Sequence, residues 1–335
     1  MVSRVKAFVS CLGIYLILLW HGWAIHADGI PIPQAPSFTP EATLEKETKY
    51  FPHIKLVQPE LPYGVRWDKD LVYHVLKDTP YGERALHLDV LRPELEGEPV
   101  LCPAVVMVHG GGWRSGSKRH MLPMAQQLAD KGYVAVPVEY RLALEARYPA
   151  TIHDVKCAIR WLRAHAATYG IDPDRIAVLG CSSGAQVVTL IAATNHLTRF
   201  EGDQGNTETS SEVQAVINID GVVSFIHPEA EAEIRGNAAS TWFGSRHEEN
   251  PDLWKDASPL EHVGKGMPPI LFVNSSVPRF HAGRNDMIRK LDTLGIYSEV
   301  HAHRDSPHPF WLLHPWFEPT VGHVRRFLDH AFPKP

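Results

Sequence analysis

Two glycine-rich stretches carry the residue types that acyl-transfer chemistry needs. Gly180-Cys181-Ser182-Ser183-Gly184 fits Gly-x-Ser-x-Gly. A tight turn from strand to helix lifts such a serine hydroxyl clear of the backbone, and it needs small residues on both sides. Ser182 has Gly at the second position before and after it. Ser183 does not, so Ser182 is the expected nucleophile and Cys181 is expected to point away as packing. Upstream stands His109-Gly110-Gly111-Gly112-Trp113. Consecutive glycines let backbone N–H groups approach a developing oxyanion with no side chain intervening. The N–H groups of Gly111, Gly112 and Ser183 are therefore the expected oxyanion hole. A phosphate cradle is excluded, because no Lys-Ser/Thr pair follows the glycines at P-loop spacing.

Both motifs work only at the ends of strands. Apolar runs at Ala104–Val108, Tyr133–Val138, Arg175–Leu179, Val213–Ile219, Pro269–Val273 and Tyr297–His301 read as strands, most without alternation, as parallel strands covered on both faces do. Leu71–Leu76 and Arg84–Leu91 read as an opening pair able to form a hairpin. Helical stretches lie at Arg119–Lys131, Ile152–Thr168, Ala185–His196, Gly283–Leu294 and Pro319–His330. The fold class is α/β, a mostly parallel sheet of about eight strands with helices on both faces. In such sheets ligands bind at the carboxyl ends of the strands.

Composition sets bounds on the rest. The 335 residues carry 33 Lys and Arg against 38 Asp and Glu, a net charge of -5, so no cationic footprint for nucleic acid is present. Four cysteines are too few for a disulfide scaffold. Residues 1–27 start with Arg4 and Lys6, run apolar from Ala7 to Trp20, and offer small residues at Gly22, Ala24 and Ala27. This reads as a signal peptide, with a secreted or periplasmic protein and no stable membrane anchor expected. Its apolar stretch falls short of the roughly 20 residues of a span. Export would leave Cys102, Cys157 and Cys181, an odd number, so at least one free thiol is expected. Residues 28–62 read as a Pro-rich arm with a helical turn or two at Glu41–Lys49. Residues 63–335 read as one α/β domain, with 225–266 as a small lid-like insertion.

His109–Trp113, Glu139-Tyr140-Arg141-Leu142, the Asp154–Arg163 helix, Tyr169-Gly170-Ile171-Asp172-Pro173 and Gly180–Gly184 together resemble the α/β-hydrolase esterases. More narrowly they resemble the secreted bacterial branch that includes feruloyl and acetyl esterases of plant polysaccharides. The resemblance implies an ester substrate, small-molecule or polysaccharide, and no cofactor. It also implies a histidine after the last strand, followed two residues later by a bulky apolar residue. His308 before Phe310 fits; His301, His303 and His314 are alternatives. His301 and His303 could share a strand face as metal ligands, but no third and fourth ligand stands at recognisable spacing, so no metal site is expected.

The acid departs from that pattern. Relatives place an Asp shortly after the penultimate strand, where this chain reads Asn274-Ser275-Ser276-Val277-Pro278-Arg279-Phe280-His281. One strand earlier, Val216–Ile219 ends at Asp220-Gly221, and Asp220 is the expected partner of His308, with Asp305 and Asp286 as alternatives. Trp113 and Trp311 are expected to line the pocket, with closure of the core an equal reading for Trp311. Trp242 and Trp254 could stack on a ring or pack the lid. Arg279, His281 and Arg284 could meet an anionic substrate. A general carboxylesterase, an aryl-formamidase, a peptidase or a catalytically impaired binding module stand as alternative functions.

Overall fold

The computed structural model describes residues 23–25, 31–33, 35, 38–94, 100–232 and 236–333. Most of the expected leader, residues 1–22 and 26–27, lies outside the described residues, as do residues 28–30 at the start of the arm. Trp23–Ile25 pairs antiparallel with Pro31–Pro33. No helix of the described residues is long and apolar enough to cross a membrane.

Eight strands form one sheet: β1 (Val65–Thr79), β2 (Gly82–Pro93), β3 (Cys102–Val108), β4 (Val134–Val138), β5 (Ile171–Cys181), β6 (Ala215–Ile219), β7 (Ile270–Asn274) and β8 (Ser298–Ala302). Their order is β8-β7-β6-β5-β3-β4-β2-β1. From β8 to β4 every neighbouring pair is parallel, whereas β2 pairs antiparallel with both β4 and β1. All eight expected strands are present. β1 is longer than Leu71–Leu76 because it is an edge strand with mixed burial, whose polar residues hide the apolar pattern. It is also broken by three register shifts, the first of which, between Asp68 and Leu71, spans the positive-φ residue Asp70.

The unbroken apolar runs have a plain cause. Ala104, Val106 and Val108 of β3 belong to one core, Val105 and Met107 to the other. The first core takes the inner faces of α2 (Ala150–Ala164), α3 (Ser183–Ala193) and α4 (Arg284–Leu294). The second takes α1 (Leu122–Asp130) and α5 (Phe317–Ala331). Each Val, Leu or Ile so buried stabilises the fold by roughly 1.5–3 kcal/mol before entropy is counted. The expected helix Arg119–Lys131 opens as a 3-10 turn, Lys118–Met121, and becomes α-helical where Pro123 occupies the first turn. Ile152–Thr168 is interrupted at His165, and its second piece, Ala166–Tyr169, ends on left-handed Gly170.

Register aligns the strand ends. Val108 sits opposite Gly180, Cys181 opposite Ile219, and Ile219 opposite Val273. His109, Ser182, Asp220 and Asn274 therefore leave the sheet side by side, on neighbouring strands about 4.8 Å apart.

Candidate active site

Ser182 follows β5 with φ 53° and ψ -122°, a conformation that L residues avoid. Such a residue costs on the order of 1–3 kcal/mol and persists only where surrounding contacts over-determine it. Here its N–H donates to the Ile219 carbonyl at 2.8 Å, and glycines on both sides leave no room for anything larger. A Cβ on Gly180 would lie 2.2 Å from the Gly184 carbonyl oxygen, and one on Gly184 2.3 Å from that of Val108. The turn thus holds the Ser182 hydroxyl at the N-terminus of α3.

His308 and Asp220 meet that hydroxyl. Ser182 Oγ lies 2.8 Å from His308 Nε2, and His308 Nδ1 lies 2.7 Å from Asp220 Oδ2. Asp220 is fully buried, and its other oxygen accepts from the Ser275 N–H at 2.9 Å and from Asn274 Nδ2 at 3.4 Å. Three acceptor contacts fix the carboxylate so that one oxygen faces the imidazole. Asp220 itself has φ 55°, and a Cβ on the following Gly221 would fall 2.7 Å from the Ser182 carbonyl oxygen. The His308 ring is held on two sides, face to face by Phe280 and edge-on by Trp311.

The alternatives lie elsewhere. Asp286 pairs with Arg289 and stands 3.6 Å from His227, and Asp305 is exposed. His301 pairs with Glu299 and stacks on His323, His303 bonds Thr320, and His314 bonds Glu318. Among the described residues no group of three His, Cys, Asp or Glu side chains is arranged to hold a metal ion. Cys102, Cys157 and Cys181 are buried, and Cys157 and Cys181 are free thiols. Cys181 points into the core, and burial, with the Asp220 charge behind it, pushes its thiol well above the ordinary range.

The glycine loop after β3 closes over Ser182. Gly111 and Gly112 have φ of 129° and 60°, and a Cβ on Gly111 would lie 2.1 Å from the Ser115 carbonyl oxygen. Among the described residues no acceptor takes the N–H of Gly111, Gly112 or Ser183. These three donors and Ser182 border one pocket of about 450 Å³. His109 anchors the loop from below: its ring stacks on Tyr140, its Nδ1–H donates to the Gly110 carbonyl, and Tyr140 donates to the His109 carbonyl.

Burial holds His109 neutral, with its pKa lowered to about 3. An unfolded chain takes up that proton near pH 6.5 and the folded one only near 3, so stability is full above pH 6.5 and falls as pH drops toward 3. At pH 4 the loss from this residue alone is roughly 3 kcal/mol. A Tm series from pH 7 to pH 4 is expected to fall more steeply for the wild type than for His109→Gln; parallel curves would show that the buried imidazole is not the cause.

Of the two expected pocket tryptophans, Trp113 is found at the pocket and Trp311 needs correction. Trp311 is 3% exposed and packs in the second core behind His308, so it supports the imidazole and does not line the pocket. Trp113 borders the pocket, but its indole is buried, donates to Gln186 Oε1 at 3.0 Å and stacks on Trp242. Within 225–266, two short helices, Asn237–Phe243 and Pro251–Asp256, carry Trp242 and Trp254. Both are fully buried with Phe225 and Phe243, so the packing alternative holds for them. Of the three basic residues, only Arg279 lines the pocket; Arg284 bonds Asn274 Oδ1. Sequence reasoning passed over Phe280, which stands in the segment after β7 where an acid was sought, and over Phe38, Arg114 and Asn237 on the pocket wall.

A family model described as BD-FAE matches residues 88–278, more than half of the chain. The chain belongs to the BD-FAE family. The expectation drawn from its motifs, an α/β-hydrolase of the feruloyl and acetyl esterase branch, is met at the level of family and fold. Among curated proteins, the probable carboxylic ester hydrolase LipM of Mycobacterium tuberculosis is 33% identical over 221 residues, 63% of this chain and 48% of that protein. The chain spans about half the length of the curated relatives it matches first. Among solved structures, a truncated carbohydrate esterase from gut microbiota superposes with a TM-score of 0.66 at 24% identity, covering 79% of this chain and 96% of that one. The thermophilic esterase Est2 of Thermogutta terrifontis, with propionate bound, gives a TM-score of 0.63 at 24% identity, covering 82% and 97%. These likenesses establish the fold of this BD-FAE chain.

Proposed function

We propose that this protein hydrolyses carboxylic esters through an acyl-serine intermediate, and that after export it removes acetyl or feruloyl groups from plant polysaccharides. The observation that carries the reading is the unbroken hydrogen-bond line from Ser182 through His308 to buried Asp220, set beside unused N–H donors. Ser182 Oγ attacks the ester carbonyl while its proton passes to His308 Nε2. Asp220 holds the Nδ1–H tautomer and stabilises the imidazolium. The oxyanion lies against the N–H groups of Gly111, Gly112 and Ser183, and its collapse expels the alcohol, which takes the proton from Nε2. Water then repeats the sequence, with His308 as base, and releases the acid.

The substrate class is supported by the BD-FAE family and by the leader-like first 27 residues. A complete relay disfavours an impaired binding module. The test is a rate panel of p-nitrophenyl acetate, methyl ferulate, acetylated xylan and N-formylkynurenine. Turnover of the first is expected together with release of ferulate or of acetate from xylan. Preference for N-formylkynurenine over every ester would overturn the reading, and retention of the expressed chain in the cytoplasm would overturn export.

A further inference from the structure

We propose that Phe38, on the N-terminal arm, is a specificity-determining residue. Its ring, with that of Phe280, forms the aromatic rim of the pocket and takes a flat ring carried by the substrate on either side of the ester. The inference rests on the ester-hydrolase reading and deepens it by assigning recognition to a segment ahead of the family-matched residues 88–278.

Phe38 reaches the pocket because the chain around it is tied down. Thr39 caps the arm helix Pro40–Glu47, its hydroxyl accepting from the Ala42 N–H at 3.1 Å, with Pro40 in the first turn. This fixes the direction from which residue 38 enters. On one side the arm holds the glycine loop: the Ala35 N–H donates to the Arg114 carbonyl at 3.0 Å, and Ser115 Oγ, 3.5 Å from the Phe38 nitrogen, donates to the Gly111 carbonyl at 3.0 Å. On the other it holds the chain after His308. Lys55–Leu56 pairs antiparallel with Leu313–His314, the Val57 N–H donates to the Leu312 carbonyl, and Phe51 packs edge-on against Trp316. A segment clasped to both catalytic loops is a wall of the site.

The chemistry of that wall is aromatic. The Phe38 ring sits edge-on to His120, lines the pocket and stays partly exposed. Phe280 lines it as well, partly exposed, with the Arg279 guanidinium over its ring. Among the described residues the lining otherwise consists of glycines, small residues, the polar or charged Arg114, Asn237, Asp220 and His308, and the buried Trp113 indole. The Phe280 ring is already covered by His308 and Arg279, so the partly exposed Phe38 ring is the one that gains most by covering another flat apolar face, through area and ring-to-ring contact together. A short acyl chain on a small alcohol reaches neither benefit.

The test compares Phe38→Ala with wild type on methyl acetate, which has no ring, phenyl acetate, with a ring on the alcohol, and methyl cinnamate, with a ring on the acyl group. About a tenfold loss of kcat/KM, carried by KM, is expected on at least one ring-bearing ester, with less than a twofold change on methyl acetate. The ester that loses tells which side the ring enters. An equal loss on all three would reduce Phe38 to structural support, and no loss on either ring-bearing ester would overturn the proposal. Should Phe38→Ala fail to fold, Phe38→Tyr and Phe38→Leu decide. Tyr is expected to match wild type on all three esters and Leu to lose about threefold on the ring-bearing one alone; equal behaviour of the two is the overturning result. Failure of the wild type on all three esters would instead sink the ester-hydrolase reading and this inference with it.

Discussion

Ser182→Ala is expected to abolish turnover of p-nitrophenyl acetate, lowering kcat by roughly 10⁵-fold or more. Among the described residues, the hydroxyl is the group of the pocket that both touches His308 and sits beside the three N–H donors. Removing it leaves ordering and oxyanion contacts but no bond-forming atom. Ala at φ 53° carries the same backbone strain as Ser, so stability should change by no more than about 1 kcal/mol, the worth of one hydrogen bond. A fluorophosphonate should label wild type at residue 182 and leave the variant unlabelled. Ser183→Ala is the paired control. Its role runs through the backbone N–H, which Ala retains, and activity within about threefold of wild type is expected. If Ser183→Ala were the inactive protein and Ser182→Ala kept a hundredth of the rate, the assignment of the two serines would be reversed.

The two serines could be told apart in the sequence because the strand-to-helix turn imposes a local rule. Only the residue flanked by Gly180 and Gly184 can occupy it, and the clashes that a Cβ would make at both positions show why. The strands were legible for a related reason. A parallel strand covered on both faces has no polar alternation to confuse it, as the two-core partition of β3 shows. Information of this kind is local, and it ran out where function depends on residues far apart in the chain. Trp311, three residues past His308, was expected at the pocket; whether a tryptophan there turns toward solvent or into the core behind the imidazole depends on α5 and the arm. Phe38 and Phe280 lie 242 positions apart and share no motif. Their meeting at one pocket follows from the arm crossing both loops, which no periodicity encodes.

Asp220 is the intermediate case, and the substitution that tests it has the second largest expected effect. Its position at the end of β6 was visible, but three carboxylates competed for the role until β6, β5 and β7 were in register. That register puts Asp220 beside Ser182 on one side and Asn274-Ser275 on the other. In Asp220→Asn the amide has one acceptor oxygen left for two demands. The Ser275 N–H claims it, since that donor has no other partner in the turn, and the amide NH₂ then faces His308 Nδ1. An imidazole that accepts at Nδ1 carries its proton on Nε2, and the Nε2–H faces Ser182 Oγ with nothing to receive a proton. The geometry survives while the tautomer is wrong, so kcat should fall by about 10⁴-fold with Tm nearly unchanged. Asp286→Asn breaks a surface pairing with Arg289, and Asp305→Asn alters an exposed loop, so each should stay within about twofold of wild type. The comparison is made on p-nitrophenyl acetate with all three proteins shown folded. Near wild-type turnover of Asp220→Asn, with a large loss in either of the others, would move the acid to that position and leave Asp220 as a strand-end cap.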